Sequence, residues 1–110
     1  MVSTTNALKA DLILISGDLI DGTPEARQPD VAPLAGLQAA LGVIAIPGNH
    51  EYYFQESRWR QVFEALGMKV LLNEHLILSR DQAQLAIAGV TDEVAADYDG
   101  AAPDLAQAIA

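Results

Sequence analysis

Cysteine is absent from this sequence of 110 residues. A disulfide framework and a thiolate metal site are therefore excluded, which leaves carboxylate, amide and imidazole groups as possible metal ligands. No uninterrupted apolar run approaches the ~18 residues needed to cross a bilayer, so we expect no membrane span in this chain. The first residues lack the basic and then apolar pattern of a secretion signal, and the sequence assigns no compartment.

Basic residues are also scarce. Six Lys and Arg stand against 15 Asp and Glu, which gives a formal net charge of −9. This balance argues against a nucleic-acid duplex as partner, because neutralising phosphates requires clustered Lys and Arg. A bound divalent cation would reverse the local sign of the charge, so a small phosphoester substrate is compatible with the composition.

The hydrophobic fraction of 51% is typical of a globular protein. A domain of this size buries somewhat over ~60% of its unfolded surface, which is enough for one core. We therefore expect a single domain over residues 1–110. The residues before the first strand suggest only the tail of a helix, and the last residues only the start of another. From this we expect a truncated domain that continues beyond both ends.

Two apolar runs, at 12–15 and 43–46, predict short interior strands. Each run ends in a turn that contains glycine and polar side chains. In open α/β sheets ligands bind beyond the carboxyl ends of the strands, so these polar groups are candidate site residues. They are Asp18 and Asp21 after the first strand, and Asn49, His50 and Glu51 after the second.

The segment between these strands predicts a parallel βαβ unit. Residues 22–29 read as a polar loop, and a crossover helix is expected from an N-cap at Asp30 to a stop at Gly42. A second, amphipathic helix is indicated by apolar residues at helical spacing between Trp59 and Leu66, with Ser57 as its N-cap.

Three short strands are predicted after this helix, at 68–72, 75–78 and 84–89. The connections between them are too short for helices, so the last two should pair as an antiparallel hairpin. The fold class is therefore α/β, with a mixed, mostly parallel sheet and flanking helices.

The two turns together resemble motifs of a known family. Gly17-Asp18 and Gly48-Asn49-His50-Glu51, each after a strand, are similar to the second and third motifs of the calcineurin-like metallophosphoesterases. The stretches 6–11, 17–22 and 89–92 and the pair Tyr52-Tyr53 resemble a bacterial branch that often carries a membrane anchor before the catalytic domain. The resemblance implies a partial metallophosphoesterase sandwich, with a parent protein that is membrane-associated.

The resemblance also implies a role for each site residue. Asp18 would bridge two divalent metals (Mn, Fe, Zn or Mg), and Asn49 would ligate the second through its amide oxygen. His50 would contact the phosphate or protonate the leaving oxygen, and Asp21 would orient it, so both are assigned to catalysis. Glu51 is interpreted as structural, either as a solvated loop carboxylate or as a loop anchor.

The remaining polar and aromatic candidates are given structural interpretations. Tyr52 and Tyr53 are expected to pack, and His75 to be a surface histidine. Asp92 and Glu93 are expected in a solvated loop.

Other motifs of the family have no counterpart in this chain. Its first Asp-x-His and its terminal Gly-His-x-His are not found, and there are only two histidines. We therefore expect the parent protein to hydrolyse phosphomono- or diesters at a dimetal site. This chain by itself is expected to bind metal only in part and to have no activity. Two alternatives are a non-catalytic flavodoxin-like module that binds an anion, and a structural remnant that associates through an exposed sheet edge.

Overall fold

A computed structural model describes residues 2–110 and shows an α/β fold. Three short strands, β1 (Ile13–Ile15), β2 (Val43–Ala45) and β3 (Met68–Val70), form a parallel sheet in the order β1-β2-β3. Strands β4 (Glu74–Arg80) and β5 (Ala83–Gly89) form a separate antiparallel hairpin. The α/β class with a parallel sheet and flanking helices is confirmed, and so is the hairpin. The expected single mixed sheet is instead two sheets, because within the described residues β3 pairs only with β2 and β4 pairs only with β5.

Five α-helices and two 3₁₀ turns accompany these strands within residues 2–110. The helices are α1 (Val2–Ala7), α2 (Pro24–Val31), α3 (Asn49–Tyr53), α4 (Glu56–Ala65) and α5 (Leu105–Ile109). The 3₁₀ turns are Ala32–Gly36 and Glu93–Tyr98. No helix in the described part of the chain has the length and apolar character needed to cross a membrane.

The crossover helix lies earlier in the chain than the sequence predicted. It begins at Pro24, because Thr23 Oγ1 accepts from Ala26 N at 3.4 Å and the proline suits the first helical position. Pro33 lies in the 3₁₀ turn that follows α2, since its ring and absent N–H oppose a continuing α-helix. The predicted loop at 22–29 and the predicted helix beyond residue 36 were therefore wrong.

One face of the parallel sheet forms the core. The strand register places Ile13, Val43 and Met68 in one row and Ile15, Ala45 and Val70 in the next. These two rows pack with α4 and with the segment after β1 in a single hydrophobic cluster. Because β2 is the central strand, all three of its residues are buried.

Trp59 anchors α4 to the core. Its side chain is fully buried, and its ring stacks on Phe63 with a centroid distance of 5.6 Å. The indole Nε1 donates to Gly22 O at 2.9 Å, which ties the helix to the chain segment that leaves the site after β1. The predicted amphipathic helix is thus confirmed, although it begins at Glu56.

We expect Trp59→Ala to lower the free energy of unfolding by ~3–5 kcal/mol, because a large buried ring is replaced by a cavity. Urea denaturation of the chain measures this loss. Leu8→Ala is the control, since Leu8 is 75% exposed and its truncation should change stability by about 0.5 kcal/mol or less. Equal losses in the two variants would contradict the assigned core.

Candidate functional site

The polar turns after β1 and β2 leave the same edge of the sheet. The two strands are parallel with Ile15 opposite Ala45, so their carboxyl ends lie side by side. Ile46 N also donates to Ile15 O at 3.0 Å, which carries the pairing one residue past β2. The two turns that carry the candidate site residues therefore converge at this edge.

Glycines allow the two turns to touch through their backbones. Gly17 has φ +98°, and a Cβ at this position would lie 2.7 Å from Gly48 Cα. A Cβ on Gly48 would in turn lie 2.7 Å from Asp18 N. Both distances are too short for any side chain, so the close approach requires glycine at both positions.

The Glu51 carboxylate holds the two turns together. It is 1% exposed, and it accepts three backbone hydrogen bonds. Oε1 accepts from Asp18 N at 2.8 Å and from Gly48 N at 2.6 Å, while Oε2 accepts from Leu19 N at 2.8 Å. Of the two structural roles considered for Glu51, the structure shows the loop anchor.

Asp18 and His50 meet across the two turns. Asp18 has φ +56°, a left-handed conformation that aspartate tolerates better than most residues. Its Oδ1 accepts from His50 N at 3.1 Å, and this bond above all holds the pKa of the carboxyl below its usual 3.8. His50 Nδ1 lies 3.2 Å from the same oxygen, but the two are poorly aligned and Nδ1 is buried without a hydrogen bond.

Asn49 is oriented by an aromatic neighbour. Its Nδ2 donates to the Tyr53 hydroxyl at 3.3 Å, so its amide oxygen is left to face another group. The Tyr53 ring also makes an edge contact with the His50 ring, with centroids 5.7 Å apart. Tyr53 thus touches two of the predicted site residues.

Asp21 is placed differently from the other predicted site residues. Its Oδ1 lies 3.1 Å from Arg27 Nε, and its side chain is 74% exposed. This ion pair lies on the surface, where such pairs contribute little stability. The pairing of Asp21 with His50 stays a prediction.

Polar residues later in the chain have structural contacts. His75 is exposed on β4, and its Nδ1 lies 2.7 Å from Ala108 O of α5. Asp92 caps the 3₁₀ turn Glu93–Tyr98 by accepting from Val94 N at 3.0 Å. These contacts agree with the structural interpretation of both residues.

The structure separates the roles of the adjacent tyrosines. Tyr52 is 4% exposed and packs as predicted, whereas Tyr53 is 44% exposed and lies against Tyr98, with ring centroids 5.5 Å apart. The contacts of Tyr53 with Asn49 and His50 were not predicted from the sequence. A signal was present, because residues four apart in a helix share a face and Tyr53 follows Asn49 by four.

The residues present provide only a share of a metal site. Asp18 and Asn49 offer oxygen donors, which divalent cations such as Mg²⁺ and Mn²⁺ prefer. Within residues 2–110, however, no three His, Asp or Glu side chains are grouped as metal ligands. A cation such as Mg²⁺ is bound by about six ligands. The oxygen donors of Asp18 and Asn49 therefore do not make up a complete two-metal centre.

Comparison with known proteins connects these turns to a family. The sequence model of one protein family, the calcineurin-like phosphoesterases, matches residues 3–100, which include both turns. The chain belongs to this family. The family predicted from the two motifs is confirmed, and the match favours this family over the flavodoxin-like alternative.

Curated relatives extend the family match over nearly the whole chain. A transmembrane protein with metallophosphoesterase domain from Bos taurus is 34% identical over 98% of this chain and 26% of its own length. A metallophosphoesterase of Helicobacter pylori is 31% identical over 99% of this chain and 28% of its own. The chain therefore spans about a quarter of the length of these relatives. No solved structure gives a significant match.

Replacing the anchor carboxylate should loosen both turns at once. We expect Glu51→Gln to lower the free energy of unfolding by ~1–3 kcal/mol, because an NH₂ group would face backbone N–H donors and the charge-assisted bonds would be lost. Amide resonances of residues 17–19 and 48–50 should shift together. Glu64→Gln, at an exposed position on α4, is the matched control. Unchanged stability in both variants would contradict the anchoring role.

The lowered pKa of Asp18 predicts a pH dependence of stability. Because the folded-state pKa lies below 3.8, the ionised carboxylate stabilises the fold above this pH, and the contribution is lost as pH falls through the lower folded-state pKa. Urea midpoints of the wild type and Asp18→Asn, measured from about pH 7 to about pH 2, should differ at neutral pH and converge in acid. A difference that does not change with pH would refute this assignment.

Proposed function

We propose that this chain carries part of the hydrolytic site of a metal-dependent phosphoesterase. The observation that supports this most directly is the convergence of Asp18 with the turn that contains Asn49 and His50. Membership of the calcineurin-like family supplies the reaction class, which is hydrolysis of a phosphoester. The substrate of the whole protein is a phosphomono- or diester in this proposal.

Asp18 and Asn49 are the metal-binding residues in this proposal. Asp18 presents a half-exposed carboxylate at the rim of the sheet, and Asn49 presents an amide oxygen whose direction is set by Tyr53. An amide ligand adds no charge, so a metal held there would remain electrophilic. When bound, the metals would supply an activated water and neutralise charge on the phosphate. Further ligands would have to come from other segments of the whole protein.

His50 is the group that meets the substrate. Because Nδ1 faces Asp18, the outward-facing nitrogen is Nε2, and a histidine there can hydrogen-bond a phosphate oxygen or protonate the leaving oxygen. Asp21 is the proposed second partner of this histidine. Its present ion pair with Arg27 is exposed and weak enough to be exchanged.

The whole protein is also proposed to be associated with a membrane. The support is that one relative, from Bos taurus, is named a transmembrane protein. This proposal concerns the parent protein, since the described helices include no membrane span.

The isolated chain should bind Mn²⁺ weakly at one site and show no turnover of bis-p-nitrophenyl phosphate above background. Two oxygen ligands are too few to hold two cations, and a general acid alone contributes only ~10²- to 10⁴-fold. Calorimetric titration with Mn²⁺ and a colorimetric assay measure the two quantities.

Asp18→Asn should remove the Mn²⁺ binding. Asp81→Asn is a matched control, because Asp81 is an exposed aspartate with φ +55° in the β4–β5 turn, close to the φ of Asp18. Binding that survives Asp18→Asn, or that is lost equally in Asp81→Asn, would overturn the metal assignment. Turnover that Asp18→Asn abolishes would show that this chain holds a complete site.

A further inference from the structure

A cavity opens beside α3 on the side of the candidate site. Its volume is about 750 Å³, within the ~300–1,000 Å³ of typical small-molecule sites. Residues of α3, α4 and the loop 91–101 line it. The wall combines two exposed aromatic rings, Tyr53 and Tyr98, with hydrogen-bonding side chains that include Ser57, Asp97 and Asp99.

The cavity adjoins the candidate site through a chain of aromatic contacts. The His50 ring touches Tyr53 at 5.7 Å, and Tyr53 touches Tyr98 at 5.5 Å, both between centroids. His50 is the proposed catalytic histidine, and Tyr53 and Tyr98 line the cavity. The cavity and its two tyrosines are therefore the neighbouring surface for a molecule whose phosphate lies at His50.

The loop that carries Tyr98 is fixed in place. Thr91 Oγ1 donates to Ala101 O at 2.7 Å, and Gly100 N donates to Ala95 O at 2.8 Å. Gly100 also packs so closely on the buried Tyr52 that a Cβ would lie 3.0 Å from that ring. The aromatic wall is thus formed before any ligand binds, which lowers the entropic cost of binding.

The charges of the cavity do not favour a second phosphate. Arg58 forms an ion pair with Glu25, and Arg60 Nε lies 3.8 Å from Glu56 Oε1. Both lining arginines therefore have a carboxylate partner, and Asp97 and Asp99 add negative charge. An uncharged group with hydroxyl donors suits this wall better than an anion does.

We propose that this cavity is a subsite for the alcohol part of the phosphoester, and that this part is a hydroxylated ring such as a sugar. The C–H faces of such a ring pack on the exposed tyrosines, and its hydroxyls donate to the carboxylates of Asp97 and Asp99. This inference rests on the proposed function, since it assigns the other half of the same substrate.

The test is an NMR titration of the chain, with Mg²⁺ present, using four probes. They are glucose 1-phosphate, hexyl phosphate, inorganic phosphate and methyl α-glucoside. Glucose 1-phosphate should shift the amides of Tyr53, Tyr98 and Gly100 and bind about five-fold more tightly than hexyl phosphate or inorganic phosphate.

Variants of Tyr98 separate the ring from its hydroxyl. Tyr98→Leu should reduce the affinity for glucose 1-phosphate to that for inorganic phosphate, and Tyr98→Phe should retain it within about two-fold, because the ring face is kept. Leu105→Ala is the control, since Leu105 is 64% exposed and does not line the cavity. It should change nothing.

The outcomes distinguish the subsite from the phosphoesterase proposal. If inorganic phosphate shifts residues 49–50 while the two glucose probes leave Tyr98 unmoved, the subsite is refuted and the proposed function stands. If methyl α-glucoside shifts Tyr98 while no phosphate compound shifts residues 49–50, the cavity binds a sugar ring, but the proposed function is refuted and with it the assignment of that ring to a phosphoester. Hexyl phosphate binding as tightly as glucose 1-phosphate would refute the preference for a hydroxylated ring.

Discussion

The buried carboxylate of Glu51 is the contact on which the geometry of the site depends. A carboxylate that is 1% exposed is tolerated only when hydrogen bonds replace its hydration, and here three backbone N–H groups do so. The donors come from both turns, Asp18 and Leu19 on one side and Gly48 on the other. The cost of burying the charge is therefore offset only while the turns stay together, which couples the position of Asp18 to that of His50.

The sheet explains why one carboxylate can reach both turns. Parallel pairing of β1 with β2 ends both strands at the same edge, and glycines at positions 17 and 48 let the two backbones approach within contact distance. A side chain at either glycine would force the turns apart and leave Glu51 without one of its donors. The parallel pairing, the two glycines and the Glu51 carboxylate are thus all needed to hold the two turns together.

Local sequence predicted the strands and turns because their signals lie within a few residues. Apolar runs followed by glycine-containing turns predicted both strands, and the family motifs pointed to Asp18, Asn49 and His50 as site residues. The start of α2 was missed because Thr23 and Pro24 are local signals for both a loop and a helix. The hydrogen-bond partners of Glu51 and the contact between the rings of Tyr53 and Tyr98 depend on packing between segments distant in sequence. No local sequence pattern encodes such packing.

Tyr53 links the two halves of the proposed substrate site. Its hydroxyl accepts from Asn49 Nδ2, which leaves the amide oxygen of Asn49 directed elsewhere, and its ring lies between His50 and Tyr98. A group packed on Tyr53 from the cavity would therefore contact the same side chain that orients Asn49. If the cavity holds the alcohol part of the substrate as proposed, Tyr53 is the residue through which that part would influence the Asn49 oxygen and the side of the site that faces the phosphate.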